Sequence, residues 1–123
     1  MKDHRLSFGK KGEDLACDYL RSQQCRILER RYRNCFGEID IIACHHNTLL
    51  FIEVKTRHTA TYGSPEEAVT FAKQRHIIRA AQGYLTDEAV PDAIEETRFD
   101  IIAIISADPP PVIDWIKGAF TAD

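Results

Sequence analysis

The stretch that decides the fold is Gly37–Arg57, which reads GEIDIIACHHNTLLFIEVKTR. Two apolar runs, at 39–43 and 49–54, flank a short polar segment, and this pattern predicts two antiparallel strands joined by a tight turn. Each predicted strand contains a carboxylate, Asp40 in the first and Glu53 in the second. A strand at a buried position normally carries an uncharged side chain, so the two acids need an explanation.

The register of this hairpin brings the two acids together. If the turn is centred on residues 46–47, Asp40 lies directly across from Glu53, and Glu38 lies across from Lys55. Side chains alternate along a strand, so Lys55 shares one face with Glu53. Like charges at opposed positions destabilise a strand pair. The pair therefore requires a compensating group.

Three kinds of compensation are open from the residues alone. Lys55 and Arg57 could neutralise the acids as a surface ion-pair cluster. One carboxyl could hold a raised pKa and share a proton with the other. A divalent cation such as Mg²⁺ could lie between the two carboxylates, with Lys55 holding a water molecule nearby. The apolar neighbours fix the register and favour the cation; they are Ile39, Ile41, Ile52 and Val54.

A third acid comes from the predicted first helix, at residues 10–24. Its core-facing stripe is formed by apolar residues at helical spacing, namely Leu15, Ala16, Tyr19 and Leu20. Glu13 lies at the N-terminal end of this stripe, three residues before Ala16. We therefore expect Glu13 to point inward and to approach the same place as the strand carboxylates.

The remaining segments complete an α/β pattern. Strands are predicted at 25–32, 37–44, 48–56 and 98–106, and a last strand within 109–120. Ser64, Pro65 and Glu67 form a capping-box signature for a long second helix, and Thr70 could start a second helical segment within it. The element order is α-β-β-β-α-β-β, which predicts a single domain over residues 1–123 with a mixed central sheet flanked by helices.

Composition limits the class of protein. The chain is 44% hydrophobic and 28% charged, as expected for one compact domain. It contains no apolar run long enough to span a membrane and no secretory signal, so we expect a cytoplasmic protein with no membrane partner. The four cysteines form no C-x-x-C motif and are predicted to be reduced structural thiols.

Charge is distributed unevenly along the chain. Residues 1–79 contain 14 Lys/Arg and 10 Asp/Glu, a balance of +4, whereas residues 80–123 contain 2 and 9, a balance of −7. A polyanionic partner could therefore bind to only one side of the protein. Solvated surface charge with no partner explains the same pattern equally well.

Several motifs, taken in order, resemble one family. They are GKKGEDLACDYL, GEIDIIA, FIEVKTR, YGSPEEAV and RFDIIAI, between Gly9 and Ile105. Together they resemble the small bacterial YraN-like proteins, whose function is largely uncharacterised. That family is similar to archaeal Holliday-junction resolvases and to the restriction-endonuclease-like, PD-(D/E)xK superfamily, whose signature is an acid followed by E-x-K. The resemblance implies a restriction-endonuclease-like fold.

The resemblance also implies roles for the site residues. Asp40 and Glu53 would bind Mg²⁺ or Mn²⁺ with help from Glu13, and Lys55 would position or polarise the attacking water. The reaction would be phosphodiester hydrolysis in DNA, with branched DNA among the expected substrates. Candidates for holding phosphates are the basic residues Arg30, Arg31, Arg33, Arg57 and Lys73. Asp100 follows the family pattern and is interpreted as structural, paired with Arg98 or a neighbouring strand.

Two other functions remain open at this stage. The chain could be a nucleic-acid-binding module that keeps the fold and the acids without turnover. It could also be an interaction scaffold that contacts a basic partner through the acidic segment 87–96. Resolvase-like relatives act as dimers, which makes a homodimer one expectation, although no interface stripe is evident in the sequence.

Overall fold

Five strands and two helices form in the order that the hydrophobic periodicity predicts. The computed structural model describes residues 4–57, 67–88, 90–105 and 110–122, with side chains from Lys11 onward. Its elements are α1 (His4–Ser22), β1 (Arg26–Asn34), β2 (Gly37–His45), β3 (Thr48–Arg57), α2 (Phe71–Asp87), β4 (Glu96–Ile105) and β5 (Val112–Phe120). The predicted order α-β-β-β-α-β-β is confirmed.

The strands form one mixed sheet in the order β1-β2-β3-β4-β5. The first three strands pair antiparallel as a meander, β3 pairs parallel with β4, and β5 pairs antiparallel with β4. A parallel neighbour requires a crossover, and α2 lies within that connection. Six consecutive residues of β4 are buried, as predicted for a strand covered on both faces.

Each face of the sheet carries one helix and one apolar cluster. The α1 side is formed by residues that include Ala16, Leu20, Ile41, Leu50, Ile52 and Ile102. The α2 side is formed by residues that include Ile39, Phe51, Ile77, Ala81, Tyr84 and Ile101. At Gly12, α1 approaches β3 so closely that a Cβ atom would overlap Thr56 Cγ2. The predicted mixed sheet flanked by helices is confirmed.

The register of the β2–β3 hairpin is the one that the turn at 46–47 predicts. His45 pairs with Thr48, and the pairing continues as far as Ile41 opposite Ile52. His46 takes a φ of 55°, which closes the tight turn. The pairing stops one position before Asp40, because the Asp40 side chain rather than its backbone meets β3.

The predicted pairing of Glu38 with Lys55 is wrong. Glu38 lies beyond the end of the β2–β3 ladder and pairs instead with Arg33 in β1. Arg33 Nη2 also donates a hydrogen bond to Glu38 Oε2 over 3.2 Å. Glu38 is therefore part of the β1–β2 surface and does not contribute to the acid pair.

The regular alternation predicted for β2 is also wrong near Asp40. Ile39 and Ile41 are two residues apart, yet Ile39 packs in the α2-side cluster and Ile41 in the α1-side cluster. Across the β1–β2 pair, Arg31 takes a φ of 52°, which is uncommon for a residue other than glycine. The alternation of side chains along β2 is therefore interrupted at Asp40, so Glu38, Asp40 and Ile42 do not all share one face.

The helix starts differ from the sequence prediction in part. Helix α1 begins at His4, several residues earlier than predicted. Helix α2 begins at Phe71, with Thr70 as N-cap; its hydroxyl accepts a hydrogen bond from Lys73 N over 3.2 Å. This confirms the helix start predicted at Thr70, whereas the capping box at Ser64 lies outside the described residues.

Asp100 is the structural centre of the β4–β5 pair. Its carboxylate is fully buried and accepts hydrogen bonds from Arg98 Nε at 2.8 Å and Nη2 at 2.9 Å. Trp115 Nε1 donates to it over 2.8 Å, and the Gly118 backbone N–H over 2.9 Å. The structural interpretation of Asp100 is confirmed.

Two predictions concern the chain as a whole. The cysteines, Cys17, Cys25, Cys35 and Cys44, are all free thiols, as predicted. Across the described ranges, no helix combines the length and the apolar character that crossing a membrane requires.

Candidate functional site

Asp40 is fixed against β3 by a backbone hydrogen bond. Its Oδ2 atom accepts from the Val54 N–H over 2.8 Å. This bond continues the connection between β2 and β3 beyond Ile41 and Ile52, where the backbone ladder has ended. The carboxylate of Asp40 is thereby held beside the residue that precedes Val54, which is Glu53.

Glu53 is a buried acid with an incompletely satisfied carboxylate. The residue is only 6% exposed, and its Oε2 atom has no hydrogen-bond partner among the described residues. Burial raises the pKa of Glu53, as do the negative charge of Asp40 and a hydrogen bond between the two side chains; the pKa rises from 4.5 to about 8. Two carboxyl groups can share a hydrogen bond only if one carries a proton. The pair therefore requires either that proton or a cation.

Lys73 supplies one positive charge to this pair from helix α2. Its Nζ atom lies 3.9 Å from Glu53 Oε2, which is within ion-pair distance and too long for a hydrogen bond. Lys73 precedes Ile77, Ala80 and Tyr84 by four, seven and eleven residues, so it extends their buried stripe toward the helix start. That spacing is the sequence signal that places Lys73 over the sheet, and the sequence prediction of a phosphate-holding role overlooked it.

Lys55 and Arg57 follow Glu53 along β3. Alternation places both on the same side of the strand as Glu53, and both are half-buried. The positive charge of Lys55, like that of Lys73, lowers the pKa of Glu53, but these attractions are smaller than the effect of burial and of Asp40. The positive charges of two lysines from two elements thus act on the Glu53 carboxylate, but they do not offset the rise in its pKa.

Glu13 reaches the same end of the sheet from α1, as predicted. Its side chain is 12% exposed, and Arg31 Nε lies 3.0 Å from Oε2 and 3.3 Å from Oε1. Burial raises the pKa of Glu13, Arg31 opposes that shift, and the charge of Asp40 adds to it. Glu13 is therefore close enough to Asp40 for their charges to interact, but its carboxylate is already held by an arginine.

A divalent cation fits two of the three predicted ligands. Across the ranges that the structure describes, no group of three or more His, Cys, Asp or Glu side chains is arranged to hold a metal ion. Asp40 and Glu53 alone provide oxygen donors side by side, one of them with an unpartnered buried oxygen. Mg²⁺ commonly uses one or two carboxylates and completes its shell with water and substrate phosphate, so this donor set suits it.

Three of the four arginines of β1 are engaged with acids. Arg30 Nη2 lies 2.6 Å from Asp14 Oδ1, Arg31 holds Glu13, and Arg33 bonds to Glu38. Each of these three charges is at least partly neutralised by its partner. Their predicted contact with phosphates remains a prediction, and the positive charges that act on Glu53 are those of Lys73 and Lys55.

Comparisons with known proteins agree on one family. A family model described as "Uncharacterised protein family UPF0102" matches residues 12–104, a range that contains every residue of the site from Glu13 to Lys73. A UPF0102 protein of Syntrophotalea carbinolica is 46% identical over 123 residues, which are 100% of this chain and 98% of that protein. One from Geobacter sulfurreducens is 47% identical over 118 residues, 95% of this chain and 91% of that protein. One from Chlorobium phaeobacteroides is 52% identical over 100 residues, 81% and 78% of the two chains.

Proposed function

The chain belongs to the uncharacterised protein family UPF0102, the YraN family that its motifs resemble, and from that premise we propose that it is a Mg²⁺-dependent nuclease that hydrolyses phosphodiester bonds in DNA. The observation that supports this function is the carboxylate pair of half-buried Asp40 and buried Glu53, in which one Glu53 oxygen has no hydrogen-bond partner among the described residues and two lysines act on the pair. The proposal keeps the endonuclease-like character, the DNA partner and the cytoplasmic location expected from the sequence.

The metal would be held by Asp40 and Glu53. When bound, it supplies a Lewis acid for a phosphate oxygen and lowers the pKa of a water molecule. It would also satisfy Glu53 Oε2, the atom that has no hydrogen-bond partner among the described residues. Mn²⁺, with similar oxygen-ligand chemistry, would replace Mg²⁺.

The protein side chains perform the remaining tasks. The Val54 N–H keeps the Asp40 carboxylate in one orientation, and burial beneath α2 restricts Glu53. Lys55 carries a positive charge on the Glu53 side of β3, where it would donate a hydrogen bond to the attacking water and stabilise the charge that develops on the phosphate. Glu13 and Arg31 together fix α1 against β1 next to Asp40, and so act as positioning residues.

Cleavage of a panel of labelled DNAs tests the proposal. Linear, flapped and four-way substrates are incubated with Mg²⁺ or Mn²⁺, and we expect cleavage of at least one of them. Glu53→Gln and Lys55→Ala should each lower the rate by roughly a hundredfold or more, because the first weakens the metal site and the second removes a positive charge that stabilises the reacting phosphate. Glu38→Gln, an acid of the same hairpin that lies outside the pair, is the matched control and should cleave like the parent protein. No cleavage of any substrate with either metal would overturn the proposal.

A second candidate function is DNA binding without turnover. The observation that favours it is Lys73, whose ammonium group partly compensates Glu53 in the absence of metal. Calorimetry separates the two functions: a nuclease should bind Mg²⁺ through Asp40 and Glu53 and lose that binding in Asp40→Asn. A binding module should bind DNA equally well with Mg²⁺ or with EDTA, and show no heat of metal binding.

A further inference from the structure

The outer side of α2 carries positive charge that acids do not neutralise. Helix α2 contains three Lys or Arg residues and one acid, Asp87 at its last position. Lys73 points to the sheet, whereas Arg75 and Arg79 are exposed. Within the described part of the chain, neither arginine forms an ion pair with a carboxylate, in contrast to Arg30, Arg31 and Arg33 of β1. Their charge is therefore available to an anionic partner.

Two aromatic rings are exposed beside these arginines. Phe71 is 74% exposed and Phe36 is 52% exposed, although large apolar side chains are usually withdrawn from water. Phe71, Arg75 and Arg79 follow one another at intervals of four residues, so they form one row along the helix. The Arg75 guanidinium carbon lies 6.0 Å from the Phe71 ring centroid. We call this row, together with Phe36, the α2 stripe.

The β1–β2 turn places Phe36 at the far end of the row. Asn34 Nδ2 donates to the Ala80 carbonyl over 3.0 Å, and Asn34 Oδ1 accepts from Phe36 N over 3.0 Å. A Cβ at Gly83 would lie 2.7 Å from Asn34 Nδ2, so only glycine permits this approach. Phe36 and Arg79 thereby line, together with Asp87 at the end of α2, a concavity with a volume of about 470 Å³, which is within the range of ligand sites.

The α2 stripe begins in the helical turn that contacts the Asp40–Glu53 pair. Phe71 and Lys73 belong to the same first turn of α2, and Lys73 Nζ contacts Glu53. From Phe71 to Arg79 the helix rises by about 12 Å. The row therefore leads away from the carboxylate pair along the helix surface, with the two arginines between the two rings.

We infer that the α2 stripe binds an unpaired DNA strand and delivers it to the Asp40–Glu53 pair. Arg75 and Arg79 hold phosphates, and the faces of Phe71 and Phe36 stack on bases, which is the combination by which proteins bind single strands. Bases in a duplex are stacked on one another and present no free face to such rings, so the stripe selects unpaired segments. The choice of DNA as the occupant rests on the proposed function.

Binding measured without metal tests this inference separately from catalysis. Fluorescence anisotropy of a labelled oligothymidylate in EDTA gives the dissociation constant for the parent protein and for Phe71→Ala. Because base stacking on one ring contributes between about 5- and 150-fold in affinity, Phe71→Ala should weaken binding by a factor in that range. In the double variant Arg75→Gln with Arg79→Gln, the slope of log affinity against log salt should become shallower by about 0.7 per arginine.

Matched controls come from exposed residues outside the stripe. Leu85→Ala removes an exposed apolar side chain from the same helix, and Arg21→Gln removes an exposed arginine of α1 that is paired with Asp18. Both should bind oligothymidylate like the parent protein. Circular dichroism should show the same helix content for all variants, since every substituted side chain is exposed.

Several outcomes would overturn the inference. They are unchanged binding in Phe71→Ala, equal affinity for a blunt duplex and a single strand, or displacement of the oligonucleotide by polyglutamate at equal charge concentration. Asp40→Asn should bind the strand like the parent protein. If the protein binds single strands but cleaves no DNA, the nuclease proposal is wrong and the inference about the α2 stripe is retained. If the stripe variants cleave DNA at the same rate as the parent protein, the inference about the α2 stripe is wrong and the nuclease proposal is retained.

Discussion

At the scale of single residues, Glu53 combines burial with a like-charged neighbour. Both effects favour the protonated carboxyl, whereas the attractions to Lys73 and Lys55 favour the charged one. Burial and Asp40 prevail, since the pKa rises to about 8. A metal-free protein near neutral pH therefore keeps a proton at a place where a cation would otherwise lie.

The first prediction concerns the pH dependence of stability in EDTA. The folded protein holds a proton on Glu53 up to a pKa of about 8, whereas the unfolded chain releases it near 4.5. The folded state binds more protons between these values, so the free energy of unfolding should fall as pH rises through that window, by at most about 1.4 kcal/mol per pH unit. Urea unfolding at several pH values measures this slope. Glu53→Gln should flatten it, and an equally steep slope in that variant would contradict the assignment.

Asp100 shows the opposite balance, because its buried charge is fully satisfied. Four donor atoms from three residues surround its carboxylate, including the bidentate Arg98. Asp100→Ala should lower the free energy of unfolding by about 3 kcal/mol or more, since it leaves several of these donors without a partner.

Chemical denaturation checks the Asp100 prediction. Asp114→Ala serves as the control, because Asp114 is an exposed acid of β5 and should change stability little. A loss in Asp100→Ala no larger than that in the control would show that the buried network does not hold β4 to β5.

At the scale of elements, the start of α2 determines where Lys73 lies. Thr70 caps the helix, and its hydroxyl accepts from the backbone N–H of Lys73 itself. Thr70→Ala should cost about 1 kcal/mol of stability, whereas Thr70→Ser should keep most of it because serine offers the same acceptor. Thermal or urea unfolding measures both. Equal losses in the two variants would exclude the cap as the cause.

The hydrophobic pattern and the turn at 46–47 were sufficient to predict the strands, the β2–β3 register as far as Ile41 and Ile52, and the proximity of Asp40 and Glu53. The inward orientation of Glu13 also followed from helical spacing. Two features did not follow. The break in the alternation of β2 at Asp40 lies across from Arg31, which has a positive φ. An arginine within a strand pattern gives no sign of that conformation. The contact between Lys73 and Glu53 depends on how α2 lies across the sheet, although its spacing to Ile77 was visible in the sequence.

At the scale of the whole molecule, the two apolar clusters share the same strands. Adjacent residues of β3, such as Leu49 and Leu50, belong to opposite clusters. Loss of one cluster therefore removes support from the other, and we expect a single cooperative unfolding transition. Trp115, which packs on the α1 side, reports one face by fluorescence, and circular dichroism reports both helices. The two urea curves should coincide. Different midpoints would show that the two clusters unfold separately.

The parallel pairing of β3 with β4 has a consequence for the order of folding events. The β2–β3 hairpin closes locally, whereas Thr48 pairs with Glu96, a residue 48 positions further along the chain. Local contacts generally form before distant ones, so Asp40 and Glu53 should meet before α2 brings Lys73 to them. The repulsion between the two carboxylates then acts in the folding transition state before the positive charge of Lys73 is in place. Glu53→Gln should accordingly speed refolding above pH 8 more than it slows unfolding, a difference that stopped-flow kinetics can measure.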